Sequence, residues 1–167
     1  MIYLLDANVL ITASNKYYRF NQVPEFWEWL LYQANAGKVK MPLEIIEEVL
    51  AGRKKNDLLV DWMKDNKKVL LLNEDVNSIL LQRVKDEGYA PDLKDDELEQ
   101  IGYDPFLVAY GLASANRSVV TTEVSAPAKI RQNRKLPDVC QTFSVSCLDT
   151  FEFTQVLDFR TAWKELI

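Results

Sequence analysis

The sequence predicts an α/β domain in three layers, with helices flanking a mostly parallel sheet of roughly five strands. Three observations predict it. Short apolar runs of strand length recur along the chain, each followed by a segment whose apolar residues fall at helical spacing. Neither an internal repeat nor a Gly/Ser linker interrupts the 167 residues, so residues 1–167 read as a single domain. Hydrophobic residues make up 48% and charged residues 27%. A globular chain of this length buries about 70% of its unfolded surface and needs no staple to fold.

The elements follow in order. Ile2–Leu5 has the continuous apolar character of a buried central strand. Asp6 follows at once, and Val9 to Ala13 reads as a short helix. Pro24 opens an amphipathic helix with Phe26, Trp27, Leu30, Leu31 and Ala34 on one stripe and Gly37 as its stop. Val39–Met41 is a second strand. Pro42 stands where a first-turn proline would, with Ile45, Ile46, Val49 and Leu50 on the buried face of the next helix. Asp57 caps a further helix through Trp62 and Met63, and Val69–Leu72, four apolar residues in a row, reads as a third strand. A long helix is expected from about Asp75 to Glu87, ending at Gly88. Residues 91–99 are rich in acids and read as a solvated loop or frayed helix start. Asp104-Pro105 starts a helix running to Asn116, Ser118–Thr121 is a fourth strand, residues 136–143 a short helix, and Ser144–Cys147 a fifth strand. The chain closes helically from Asp149.

Composition narrows the chemistry. There are no histidines, so Ser-His-Asp and Cys-His catalysis and imidazole-ligated zinc are unavailable. The two cysteines, Cys140 and Cys147, are too few for a disulfide scaffold and read as small apolar residues. The net charge is −5, so attraction to a polyanion would need a local basic patch or a bound cation. No apolar run reaches the roughly 18 residues of a membrane span, and the opening lacks the features of a secretory leader. A soluble, cytoplasmic protein without membrane contact is expected.

Ligands of an open α/β sheet bind beyond the carboxyl ends of its strands. Asp6 ends the first strand, Glu48 lies on the helix after the second, Asp104 starts the helix feeding the fourth, and Glu123 lies just beyond Thr121. Converging, four carboxylates would repel and raise each other's pKa. A hard divalent cation, Mg²⁺ or Mn²⁺, relieves that repulsion, and with phosphate oxygens bound beside activated water it supports phosphodiester cleavage. The plainer reading is that Asp6 and Asp104 are helix caps.

Asp6-Ala7-Asn8-Val9-Leu10-Ile11 after an apolar strand resembles the opening motif of the PIN-domain nucleases. Ile45-Ile46-Glu47-Glu48-Val49-Leu50 is similar to their second motif, Asp104-Pro105-Phe106-Leu107-Val108-Ala109 to the third, and Val119-Val120-Thr121-Thr122-Glu123 to the fourth. The tail, Lys135 to Cys140 and Val145 to Phe151, resembles an uncharacterised bacterial branch of that family. The resemblance implies a PIN-like fold and an Mg²⁺- or Mn²⁺-dependent endoribonuclease with Asp6, Glu48, Asp104 and Glu123 as catalytic and metal-holding residues. It also implies RNA as substrate and, as in many bacterial members, a toxin of a toxin–antitoxin pair, with an antitoxin protein and a homodimer as partners. Glu123 stands where many members carry Asp, and the acidic stretch 91–99 is longer than typical, leaving open whether Asp95 or Asp96 joins the site. Glu47 competes with Glu48; neighbours on a helix point about 100° apart, so one faces the metal. Glu48 is preferred because Ile45, Ile46 and Val49 pack beside it. The alternative is a catalytically inactive PIN-like domain that binds RNA or a protein.

Lys129, Arg131, Arg134 and Lys135 place four cations within seven residues, either a phosphate-binding flap or a solvated loop. Arg131 and Arg134 are the candidate RNA contacts, together with Asn8, which could orient Asp6 or a water molecule. Arg53-Lys54-Lys55 reads as a helix C-terminal turn, where cations complement the dipole. Trp27, Trp29 and Trp62 fall in apolar stripes and are expected in the core rather than against bases.

Overall fold

A computed structural model describes residues 1–52 and 57–167. Four short strands pair in parallel in the order β2-β1-β3-β4: β1 (Ile2–Leu5), β2 (Val39–Lys40), β3 (Arg117–Val120) and β4 (Ser146–Leu148). Leu4 and Leu5 of β1 and Val119 and Val120 of β3 are fully buried, which is why both inner strands read as unbroken apolar runs. The register sets Ile2 to Leu5 against Arg117 to Val120, and the Asp6 amide continues the ladder to the Val120 carbonyl at 3.0 Å.

Among the described residues nine α-helices flank this sheet. Between β1 and β2 run α1 (Ala7–Thr12), extended by a π-helical turn (Ala13–Tyr17), and α2 (Pro24–Asn35), whose chain reversal uses Gly37 at φ +73°. Then come α3 (Leu43–Leu50), α4 (Leu58–Leu70), α5 (Ser78–Arg83), α6 (Asp95–Ile101) and α7 (Asp104–Leu112) before β3. Finally α8 (Leu136–Thr142) precedes β4 and α9 (Thr150–Val156) follows it. Right-handed crossovers in this strand order put α2 on one face and α7 and α8 on the other, and packing puts α9 on the face of α2. Phe153 of α9 accordingly packs edge-on against Tyr3 of β1 and Trp29 of α2.

The tryptophans do belong to the core. Trp27 stacks on Phe20 at 4.0 Å between ring centroids, meets Trp62 at 5.0 Å, and donates its ring N–H to the Tyr18 carbonyl at 2.6 Å. No described helix is long and apolar enough to cross a membrane.

Several boundaries differ from expectation. Val69–Leu72 is not a strand: α4 continues to Leu70, and the segment meets the sheet edge through one isolated parallel bridge, Met41 to Leu71, and the Lys40 ammonium donating to the Val69 carbonyl at 2.6 Å. The sheet therefore has four strands. Pro42 occupies the N-cap of α3, one position earlier than expected. The helix expected from Asp75 starts at Ser78, where the Asn77 side chain accepts from the Ile79 and Leu80 amides, and it ends in a π-helical turn (Val84–Tyr89). The acidic stretch 91–99 contains the start of α6. The last two expected strands are each shifted, to Arg117–Val120 and Ser146–Leu148, and α7 stops at Leu112 rather than Asn116. The Arg53–Lys55 cluster lies outside the described residues.

Candidate active site

The chain runs from β1 outward to β2 and returns to β3 on the other side of β1. The crevice beyond the carboxyl ends of β1 and β3 is therefore where the strand order reverses. Asp6 follows β1 into this crevice and Thr121 follows β3. Both are buried, and the Thr121 hydroxyl donates to Asp6 Oδ2 at 2.9 Å. Asp6 holds the N-cap position of α1 yet makes no side-chain capping hydrogen bond, so its carboxylate is not used as a cap. Burial pushes that carboxyl above the usual carboxylate range; Glu123 adds to the rise, and the Thr121 hydroxyl and nearby backbone amides offset it in part.

Asp104 is the first residue of α7, with Tyr103 at the N-cap, so it too is not the capping residue. Its carboxyl is pushed from an ordinary 3.8 to about 8, first by burial and then by Asp6, Glu123 and Glu48, with Lys135 opposing. One side chain thus registers the other three acids. The Glu48 carboxyl on α3 is raised by partial desolvation and then by Asp6, although Glu48, like its neighbour Glu47, is exposed at the helix surface.

Glu123 is the most engaged of the four. Its Oε2 accepts from the Leu136 amide at the start of α8 at 2.7 Å, its Oε1 from Lys135 Nζ at 3.3 Å, and its own amide donates to the Thr121 hydroxyl at 3.1 Å. The strand-end acid therefore ties β3 to α8, a role sequence spacing does not reveal. Among the described residues no group of three or more carboxylates or thiols is placed so that it could hold a metal ion. In kind the donors fit a hard divalent ion: four carboxylate oxygens from four elements, mutually repelling, with Lys135 the cation that offsets Asp104.

The other expected site residues are placed as follows. Asn8 is exposed in the first turn of α1, beside Asp6. Asp95 and Asp96 are exposed in the first turn of α6. Arg131 turns away from solvent phosphate: it pairs with Glu97 through Nε at 2.9 Å and Nη2 at 2.7 Å, and with Asp92 at 2.7 Å. The guanidinium holds the Glu97 carboxyl down at about 2, helped by the Lys94 amide. Arg134 donates to the Gly88 and Asp138 carbonyls and to the Thr142 hydroxyl. Both arginines lock structure, and a 3₁₀ turn (Arg131–Asn133) rather than an α-turn carries the first of them, at φ +54°.

Two features were not legible beforehand. A cavity of about 230 Å³ is lined by Asp104 and Glu123 and by the cations Lys129, Arg134 and Lys135, with Gln132 and Asn133. Tyr89, at the end of the second π-helical turn, is 6% exposed and its hydroxyl has no hydrogen-bond partner among the described residues; burial, and then Asp104, push its phenol well above the usual range. An aromatic after a charged turn, Lys85-Asp86-Glu87-Gly88, gives no sequence signal of this kind.

An α/β domain with an acidic crevice at its switch point is the class that fold and site define. The chain belongs to the family described as a domain of unknown function (DUF4411), which matches residues 3–161. No curated protein and no solved structure matches it.

Proposed function

We propose that this protein is a PIN-like, Mg²⁺- or Mn²⁺-dependent endoribonuclease. The observation that carries the reading is the gathering of Asp6, Glu48, Asp104 and Glu123 at the switch-point crevice, with the Asp104 carboxyl driven to about 8 by burial and the other three. Asp6 and Asp104 would hold the cation most directly, with Glu48 and Glu123 flanking them. When bound, the ion polarises a phosphoryl oxygen and lowers the pKa of water. The chain's part is to fix the donors. Thr121 orients Asp6, α7 presents Asp104 from its first turn, and the Leu136 amide and Lys135 hold Glu123. Lys129 and Lys135, which line the cavity beside the acids together with Arg134, are proposed to meet substrate phosphates in place of Arg131.

Asp6→Asn and Asp104→Asn should each abolish Mg²⁺-dependent cleavage of RNA while the protein stays folded. Cleavage at the wild-type rate in both variants would overturn the assignment. Glu123's engagement with α8 favours a second reading, a non-catalytic PIN-like domain that binds RNA or a protein through the same crevice. That reading expects RNA binding without cleavage and without any dependence on divalent ions.

A further inference from the structure

Two neighbouring tyrosines part company beyond the end of α1. The helix widens there into the π-helical turn Ala13–Tyr17, a form that recurs at functional sites. Tyr18 turns inward, stacked on Phe26 at 4.2 Å between ring centroids and edge-on to Phe159 at 5.5 Å. Tyr17 turns outward and meets Phe151, in the first turn of α9, edge-on at 5.4 Å. Tyr17 is 49% and Phe151 52% exposed. A single exposed aromatic is ordinary on a protein surface, whereas two in mutual contact make an apolar patch that calls for an occupant.

The pair belongs to the crevice end of the sheet. Parallel strands share one carboxyl end, and α9 starts directly after β4. The Leu148 carbonyl, three residues before Phe151, accepts from the Thr121 amide at 3.1 Å, and the Thr121 hydroxyl in turn donates to Asp6. Charge around the pair suits a polyanion. The chain has 25 acidic residues, yet none lies between Asp6 and Glu25, and in that stretch Lys16 and Arg19 are both exposed. Neither forms an ion pair among the described residues, whereas Arg160 and Lys164 are paired with Asp158 and Glu28. Arg19 engages only its Nε, on the Asn15 carbonyl at 3.2 Å. The acids beside Phe151, Asp149 and Glu152, are held in the capping box of α9.

We propose that Tyr17 and Phe151 form a base-stacking platform for single-stranded RNA, with Lys16 and Arg19 on the adjoining phosphates. This rests on RNA as the ligand, in either the catalytic or the non-catalytic form of the reading above. Every base offers a π-face, so stacking holds a strand without selecting its sequence, and cations beside the rings track the backbone. A nucleic-acid strand answers both the rings and the cations; an apolar protein surface answers only the rings.

The test is binding of a fluorescein-labelled, unstructured oligoribonucleotide to the full chain, followed by fluorescence anisotropy with Ca²⁺ in place of Mg²⁺ so that binding is read rather than cleavage. Tyr17→Leu combined with Phe151→Leu keeps apolar bulk and removes both π-faces, and affinity should fall about tenfold or more at every salt concentration. Tyr17→Phe, which keeps the ring, should bind as wild type. Lys16→Ala combined with Arg19→Ala should flatten the salt dependence by about one to two counterions. Unchanged affinity in the folded ring-less variant overturns the platform and leaves the acidic site standing. A wild-type dimer that the ring-less variant loses while keeping its RNA affinity makes the pair a contact between copies, which also overturns it. Should that variant not fold, ultraviolet crosslinking of thiouridine-labelled RNA to wild type decides: attachment at Tyr17 or Phe151 supports the platform, and attachment only elsewhere overturns it. No RNA binding by wild type at all overturns both the platform and the RNA reading.

Discussion

At the scale of single residues, the carboxylates were legible because strand-end acids in an α/β chain have few places to go. Asp6, Asp104 and Glu123 follow or precede apolar runs whose strand or helix identity was plain, and the structure has them at the ends of β1, α7 and β3. Their immediate partners were not legible. Nothing in local spacing shows that Glu123 accepts from Leu136, thirteen positions on, or that Arg131 pairs with Glu97, 34 positions back. The raised Asp104 carboxyl gives a stability prediction. A carboxyl whose pKa rises on folding binds its proton more tightly when folded, so stability falls as pH climbs from about 4 to about 8. Asp104→Asn removes that penalty. By calorimetry, the metal-free variant should gain on the order of a few kcal/mol over wild type at pH 8, at about 1.4 kcal/mol per pKa unit, and nothing below pH 4. A loss at both pH values would show that the carboxylate is a structural acceptor instead.

At the scale of elements, long and strongly periodic helices such as α2 and α4 were readable, while a run of four apolar residues was not. Val69–Leu72 has no period that separates strand from buried helix, and α4's own ladder captured Val69 and Leu70 before the sheet could. The acidic stretch 91–99 misled in the other direction. Its charge suggested solvation, yet Lys94 N–H bonds to Glu97 and Arg131 clamps Glu97 and Asp92, joining α6 to the Arg131–Asn133 turn. Arg131→Ala should therefore lower the melting temperature and leave the salt dependence of RNA binding as in wild type. Lys129→Ala combined with Lys135→Ala should flatten that dependence by about one to two counterions. Filter binding across a salt series separates the two sets. A flattened slope in Arg131→Ala alone would return the RNA path to the arginines.

At the scale of the whole molecule, the parallel β2-β1-β3-β4 order is what turns scattered acids into a site. The order reverses between β1 and β3, and the segments leaving those strands, with α3 and α7 beside them, deliver carboxylates to the same place. For a protein of net charge −5, the proposed cation would have to supply the attraction for RNA that the net charge does not. The most direct measurement is a crystal structure of the wild-type chain soaked in Mn²⁺, with the ion located by its anomalous scattering. A peak in contact with the Asp6 and Asp104 carboxylates, beside Glu123, is the predicted result. Mn²⁺ at saturating concentration bound elsewhere, or no peak in the crevice, would contradict the account.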